Sequence, residues 1–264
     1  MMAPTSPPGA LATRQAPAAP RTAAIRATVP QPGATLRLVC FPHSGGGPAM
    51  FHRWGPALAP DVEVWAATLP GRAARTREPF VSDWTSLVRD MAAAVLEGGE
   101  GPVALFGHSL GAAVAFEVAR TLTRAGAPPA HLVVSARSAP LTRRASLELP
   151  RDDDELLGLV DRVYQGVPEA VRSSPELRAH FAPILRADLE LSNSYAYRPG
   201  PPLTCPVTAL GGADDRTVTP AQLQGWADHT RGGFESHLFP GGHFYLEQNG
   251  PSVLDTVWRR VARS

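Results

Sequence analysis

The sequence predicts an α/β domain, a mostly parallel sheet flanked by helices with a helical lid inserted at about residues 140–200. Three observations predict it. Short apolar runs bounded by Gly, Pro and polar residues alternate with stretches in which apolar residues recur at helical spacing. One strand-to-helix junction, VALFGHSLGA at 103–112, carries a serine between two glycines. Between 140 and 200 the alternation stops, because no buried strand is found there.

Residues 1–33 are rich in Ala and Pro, and prolines interrupt every apolar run that would resemble a signal peptide. They read as a disordered tail, which leaves one α/β domain over 34–264. LRLVCF (36–41) is a compact apolar strand ended by Pro42, and HSGGGP follows as a glycine-rich loop. VEVWAATLP (62–70) is a second strand. From Trp84 to Leu96 the residues Trp84, Leu87, Val88, Met91, Ala92 and Val95 mark a helix, with Ser82 or Asp83 as its cap. PVALFG (102–107) is a strand that runs into the helix LGAAVAFEVARTLTRAG (110–126). HLVVSA (131–136), CPVTALGG (205–212) and FESHLFPGG (234–242) are further strands, with a helix at about 220–229 between the last two. PSVLDTVWRRVAR closes the chain as an amphipathic helix. In the 140–200 segment, DDDELLGLVDRVY and ELRAHFAPILRADLELSNSYAY read as short helices separated by prolines.

Composition narrows the chemistry. With 25 basic against 24 acidic residues there is no global field to attract nucleic acid or an anionic membrane. Every basic residue is Arg, so lysine Schiff bases, a phosphate-loop lysine and a Ser/Lys dyad are excluded. Cys40 and Cys205 lie far apart with no metal-ligand spacing, which suggests reduced thiols and a cytoplasmic setting.

A serine hydroxyl needs a neighbouring base to become a nucleophile at neutral pH. Gly107-His108-Ser109-Leu110-Gly111 follows an apolar strand and opens a helix, the context of the G-x-S-x-G elbow in α/β-hydrolase folds, so Ser109 is the candidate nucleophile. In that fold the order is serine, acid, histidine. His243 lies in the loop after a late strand and is the candidate base. His108 packs or bonds locally, and His52, His131, His180, His229 and His237 read as solvated or structural. Asp214 and Asp215 follow the strand at 205–212, and position alone does not separate them. The backbone N–H of Leu110 supplies one oxyanion donor, and the FPHSGGG loop supplies the other.

The blocks LVCFPHSGGGPAMFHRW, LPGRAARTREP, FGHSLGAAVAFEVA, LRADLELSNSYAY, CPVTALGGADDRTV and FPGGHFYL resemble, in order, those of the discrete type II thioesterases that work beside polyketide synthases and nonribosomal peptide synthetases. The resemblance spans about 36–262. It implies an α/β-hydrolase with a helical lid that releases stalled or misprimed acyl groups from the phosphopantetheine arm of acyl or peptidyl carrier proteins. It also implies a cytoplasmic monomer with no metal or cofactor of its own. By motif it places the nucleophile on Ser109, the base on His243, the acid on Asp215 and the oxyanion donors on Ser44 and Leu110. Leu156, Leu157, Val160, Val163 and Tyr164 are expected to divide between packing and an acyl pocket. Arg72, Arg75 and Arg77 are candidates for meeting an acidic carrier protein, against the alternative of a solvated face. The rival readings are a carboxylesterase on free small esters, an excised cyclising domain, disfavoured because nothing carrier-like precedes residue 34, and a carrier-protein binding module without turnover.

Overall fold

The computed structural model describes residues 24–142 and 146–262. Seven strands form one sheet: β1 (Ile25–Ala27), β2 (Leu36–Phe41), β3 (Val62–Ala67), β4 (Val103–His108), β5 (His131–Ser135), β6 (Val207–Gly212) and β7 (Phe234–Phe239). Their spatial order is β1-β3-β2-β4-β5-β6-β7, with every pairing parallel except β1 against β3. The chain runs outward from β2 to β3 and then returns to place β4 on the other side of β2. The carboxyl ends of β2 and β4 therefore flank a topological switch point, where open α/β sheets leave a crevice.

The predicted tail needs correction. Residues 1–23 lie outside the described residues, but 24–33 join the fold: Ile25–Ala27 pairs with Trp65–Ala67, and Ala24 and Ile25 are buried in the core. Three residues are too few to display a strand period, and the Ala/Pro-rich surroundings hide them.

Nine α-helices accompany the strands among the described residues: α1 (Trp54–Leu58), α2 (Trp84–Glu97), α3 (Leu110–Arg124), α4 (Asp153–Tyr164), α5 (Glu169–Ser173), α6 (Pro175–Asn193), α7 (Pro220–Gln224), α8 (Tyr245–Gln248) and α9 (Gly250–Val261). Alternate residues along each strand serve two cores. Val39, Phe41, Leu105, Leu132 and Val134 face a cluster with Leu87, Met91, Val114 and Val118 of α2 and α3. Leu38, Cys40, Phe106 and Val133 face the other side, with Trp54, Leu58, Val253, Val257 and Val261 of α1 and α9.

The 140–200 segment holds no strand among its described residues, as predicted, but α6 is one 19-residue helix where shorter ones were expected. Pro183 lies on its exposed face, and the buried Ala182, Ile184, Leu185 and Leu189 hold the helix together across it. Asp152 and Ser174 cap α4 and α6 by accepting from the Glu155 and Leu177 amides. These helices share their own cluster, built on Leu156, Leu157, Val160, Val171, Leu185 and Leu189.

If Ile25 belongs to the core, Ile25→Ala should lower the unfolding free energy in urea by about 2–4 kcal/mol, the cost of a buried large-to-small substitution. A residue in a disordered tail would show no change.

Candidate active site

Ser109 sits between the last residue of β4 and the first of α3, with φ 55° and ψ −113°. For a non-glycine residue that backbone costs about 1–3 kcal/mol and persists only where the surroundings impose it. They do so here. A Cβ on Gly107 would lie 2.1 Å from the Gly111 carbonyl oxygen, and one on Gly111 would lie 2.1 Å from that of Phe41. Only glycine at both positions lets β4, α3 and the end of β2 meet backbone to backbone. The Ser109 amide donates to the Ser135 carbonyl at the end of β5.

The partners come from the carboxyl ends of two other strands. His243 follows β7, and its Nε2 lies 3.0 Å from Ser109 Oγ. Its Nδ1 lies 2.8 Å from Asp215 Oδ2, in the loop after β6. Burial pushes the Asp215 carboxyl up, but hydrogen bonds from His243, from the Thr217 hydroxyl and from the Thr217 amide outweigh it, so it stays ionised below the ordinary range. An ionised Asp215 can only accept, so His243 Nδ1 donates and Nε2 is left to accept the Ser109 hydroxyl proton. Asp214 and Asp215, which position alone left unresolved, are separated by the fold. Asp214 is exposed and its carboxylate accepts from the Gly241 amide, while Asp215 is buried against His243. Backbone bonds from Ala213 to Phe239 and from Asp214 to Gly241 hold the two loops together.

Ser109 and His243 open into a narrow cavity with walls from Ser44, Val160, Tyr164, Leu185, Leu189 and Phe244 among others. Leu110 is the first residue of α3, so its amide is one of the N-terminal donors that the helix itself leaves unused. Of the expected pocket residues, Val160 and Tyr164 reach this cavity, while Leu156 and Leu157 are packed inside the helical insertion. The arginines of the 69–79 loop largely overturn the docking expectation. Arg72 is buried in an ion pair with Asp188, and Arg75 is buried against Glu78 and the Thr68 carbonyl. Only Arg77 is exposed. Their guanidinium groups satisfy buried acceptors, a demand that loop composition does not display.

Comparison with known proteins agrees with this geometry. The model of the thioesterase domain family matches residues 36–261. This chain belongs to the thioesterase domain family. It is 37% identical over 240 residues to a probable cadicidin biosynthesis thioesterase of Streptomyces griseus, covering 91% of this chain and 65% of that protein. It is 34% identical over 229 residues to the gramicidin S biosynthesis protein GrsT of Aneurinibacillus migulanus, covering 86% of this chain and 90% of that one. Its fold superposes with a TM-score of 0.81 on BorB, a type II thioesterase from the borrelidin biosynthetic cluster, at 36% identity over 90% of this chain and 98% of that one.

Sequence reasoning passed over His43, Leu185, Leu189, Ser192 and Phe244 of this thioesterase's site. His43, in the loop after β2, lines the cavity and packs edge-on against His108 and Phe244, with ring centroids 5.8 and 4.9 Å away. Its neighbours GGG drew attention to the loop backbone, and nothing in the local sequence pointed to this ring. His108 Nδ1 lies 2.8 Å from Ser135 Oγ, which in turn lies 2.6 Å from the Tyr245 hydroxyl, a local bonding pattern as expected. His131 and His229 are buried and structural, and His52 and His180 are exposed.

Burial, then the nearby His243 and Arg72, lowers the His43 pKa to about 4. Burial, then His243 and His43, takes His108 well below its ordinary value. Both rings are therefore neutral at pH 7. A depressed histidine binds its proton more readily in the unfolded chain, so its contribution to stability is complete above about pH 6.5 and is lost as pH falls toward 4. Urea unfolding followed from pH 7.5 to 4 should show stability falling across that window, and His43→Phe should fall less steeply.

Proposed function

We propose that this thioesterase hydrolyses acyl groups from the phosphopantetheine arm of acyl or peptidyl carrier proteins, clearing stalled or misprimed chains from a polyketide or nonribosomal peptide synthase. The observation that carries this reading is the unbroken chain from Asp215 through His243 to the Ser109 hydroxyl, with bonds of 2.8 and 3.0 Å at the mouth of a mainly apolar-walled cavity. The biosynthetic names of the relatives supply the substrate class.

The geometry supports the following roles. His243 takes the Ser109 proton as Oγ attacks the thioester carbonyl, and Asp215 stabilises the imidazolium that forms. The amides of Ser44 and Leu110 receive the developing oxyanion. The C–S bond breaks, the His243 proton goes to the departing pantetheine sulfur, and an acyl-Ser109 ester remains. A water deprotonated by His243 then attacks that ester, releasing the free acid and returning the proton to Ser109. The helices of 153–193 form the lid over the acyl chain. The reading has the protein working in the cytoplasm as a monomer, without nucleic acid, membrane, metal or organic cofactor, since the pantetheine arm arrives with the substrate.

Release of acetyl, propionyl and longer acyl groups from a holo carrier protein tests the reading. The intact protein should turn these over, and Ser109→Ala should lose on the order of 10³-fold or more in kcat. A matched free ester hydrolysed far better than the carrier-bound group would move the assignment to a carboxylesterase. Asp215→Asn should cost on the order of 10³-fold in kcat, whereas Asp214→Asn should stay within about twofold of the parent. Equal losses at both positions would refute the assignment of the acid.

A further inference from the structure

The oxyanion assignment above puts the Ser44 amide in a loop that must be held still, and two segments distant in sequence, around Arg72 and in α6, converge on that loop. The His43 carbonyl accepts from the Gly46 amide, closing a four-residue turn with Ser44 in second position and Gly45, at φ +78°, in third. This is the type II arrangement, which turns the Ser44–Gly45 peptide over. The Gly45 amide donates to Asp188 Oδ2 at 2.7 Å. Arg72 donates to the same oxygen from Nη1 at 2.6 Å and to Oδ1 from Nη2 at 2.5 Å, and Nη1 also donates to the Gly46 carbonyl at 2.9 Å. One carboxylate and one guanidinium thus grip the Ser44–Gly45 and Gly46–Gly47 peptide groups, on either side of the peptide whose amide closes the turn. Both side chains are almost wholly buried.

Asp188 also connects the loop to the insertion. It lies on α6 between Leu185 and Leu189, both of which line the cavity. The helix sits directly on the turn, since a Cβ on Gly45 would come within 2.8 Å of the Phe181 ring and 3.3 Å of Leu185.

We propose that Arg72 and Asp188 are positioning residues: their buried ion pair orients the Ser44 amide for the oxyanion and makes its placement depend on the seating of α6, so that the acyl-pocket wall and the oxyanion loop move as one unit. Neither side chain touches the reacting atoms in this account, which rests on the thioesterase mechanism above. Binding energy of the acyl chain against Leu185 and Leu189 would thereby be coupled to transition-state stabilisation at the far end of Asp188. A buried pair kept only for stability could be exchanged for apolar side chains at little cost, whereas removing one partner strands a charge. That contrast separates the two roles.

The test compares Arg72→Met, Asp188→Leu and the double variant Arg72→Met/Asp188→Leu, using an acyl N-acetylcysteamine thioester as substrate and Tm as the index of folding. The single variants should lose Tm. The double variant should recover most of it, yet show kcat lowered about 10- to 100-fold with KM within about twofold, the signature of an interaction that matters in the transition state. A double variant that recovers both Tm and kcat would overturn the proposal and leave the pair a structural one. Should the double variant fail to fold, Asp188→Asn keeps the side-chain size and replaces it in the same assay, where an unchanged kcat overturns the proposal and a loss of kcat at constant KM supports it. Ser109→Ala is run alongside. If it retains activity, the mechanism itself fails. If it is inactive while the folded pair variant keeps full kcat, only the positioning role fails.

Discussion

Backbone contact between β4 and α3 is the constraint on which the rest of the site depends. Without a Cβ at Gly107 and Gly111, the strand, the helix and the end of β2 close to distances that no side chain would permit, and the residue between them is forced to positive φ. That backbone carries Ser109 at the carboxyl end of β4, where its hydroxyl meets His243 Nε2, with Leu110 as the first residue of α3. Once the elbow is set, each other element has one place to go. The loop after β2 lies alongside because β2 pairs with β4, and the loops after β6 and β7 reach the same edge because all these strands run in parallel.

Ionisable groups buried near the site are either held charged by compensating partners or left neutral. Asp215 stays ionised because two hydrogen bonds from Thr217 and one from His243 offset its burial. His43 and His108 take the opposite course and remain neutral. The result is a ring of imidazoles in which His243 alone has a carboxylate partner, so the proton-accepting nitrogen facing Ser109 is set by Asp215. The Arg72–Asp188 pair repeats the logic at a distance, with every oxygen of the carboxylate used by a guanidinium or an amide.

Much of this was legible in the residues. The strands at 36–41 and 131–136, the helix that opens at Leu110 and the helical character of 140–200 follow from apolar period and turn residues, because those elements are long or regular enough to show it. The serine and histidine were legible because the elbow couples a local glycine pattern to a fixed chain order. Strand β1 was missed because three residues carry no period, and its stability comes from pairing with β3 and from burial of Ile25. Arg72 and Arg75 were misread because a surface loop and a buried ion pair look alike in composition.

The sequence by itself determined the kind of protein this is, an α/β chain, and singled out the serine at its elbow, the histidine after its last strand and two adjacent aspartates between them. Those features reside in local spacing, which the polypeptide carries whether or not it is folded. Only the tertiary structure showed Asp215 against His243 with Asp214 turned to the Gly241 amide, brought His43 to the cavity, and joined Arg72 to Asp188 across 116 positions. Each of these depends on where a side chain lands after distant segments have packed. Burial and hydrogen-bond partners are properties of that packing, and no stretch of contiguous residues encodes them.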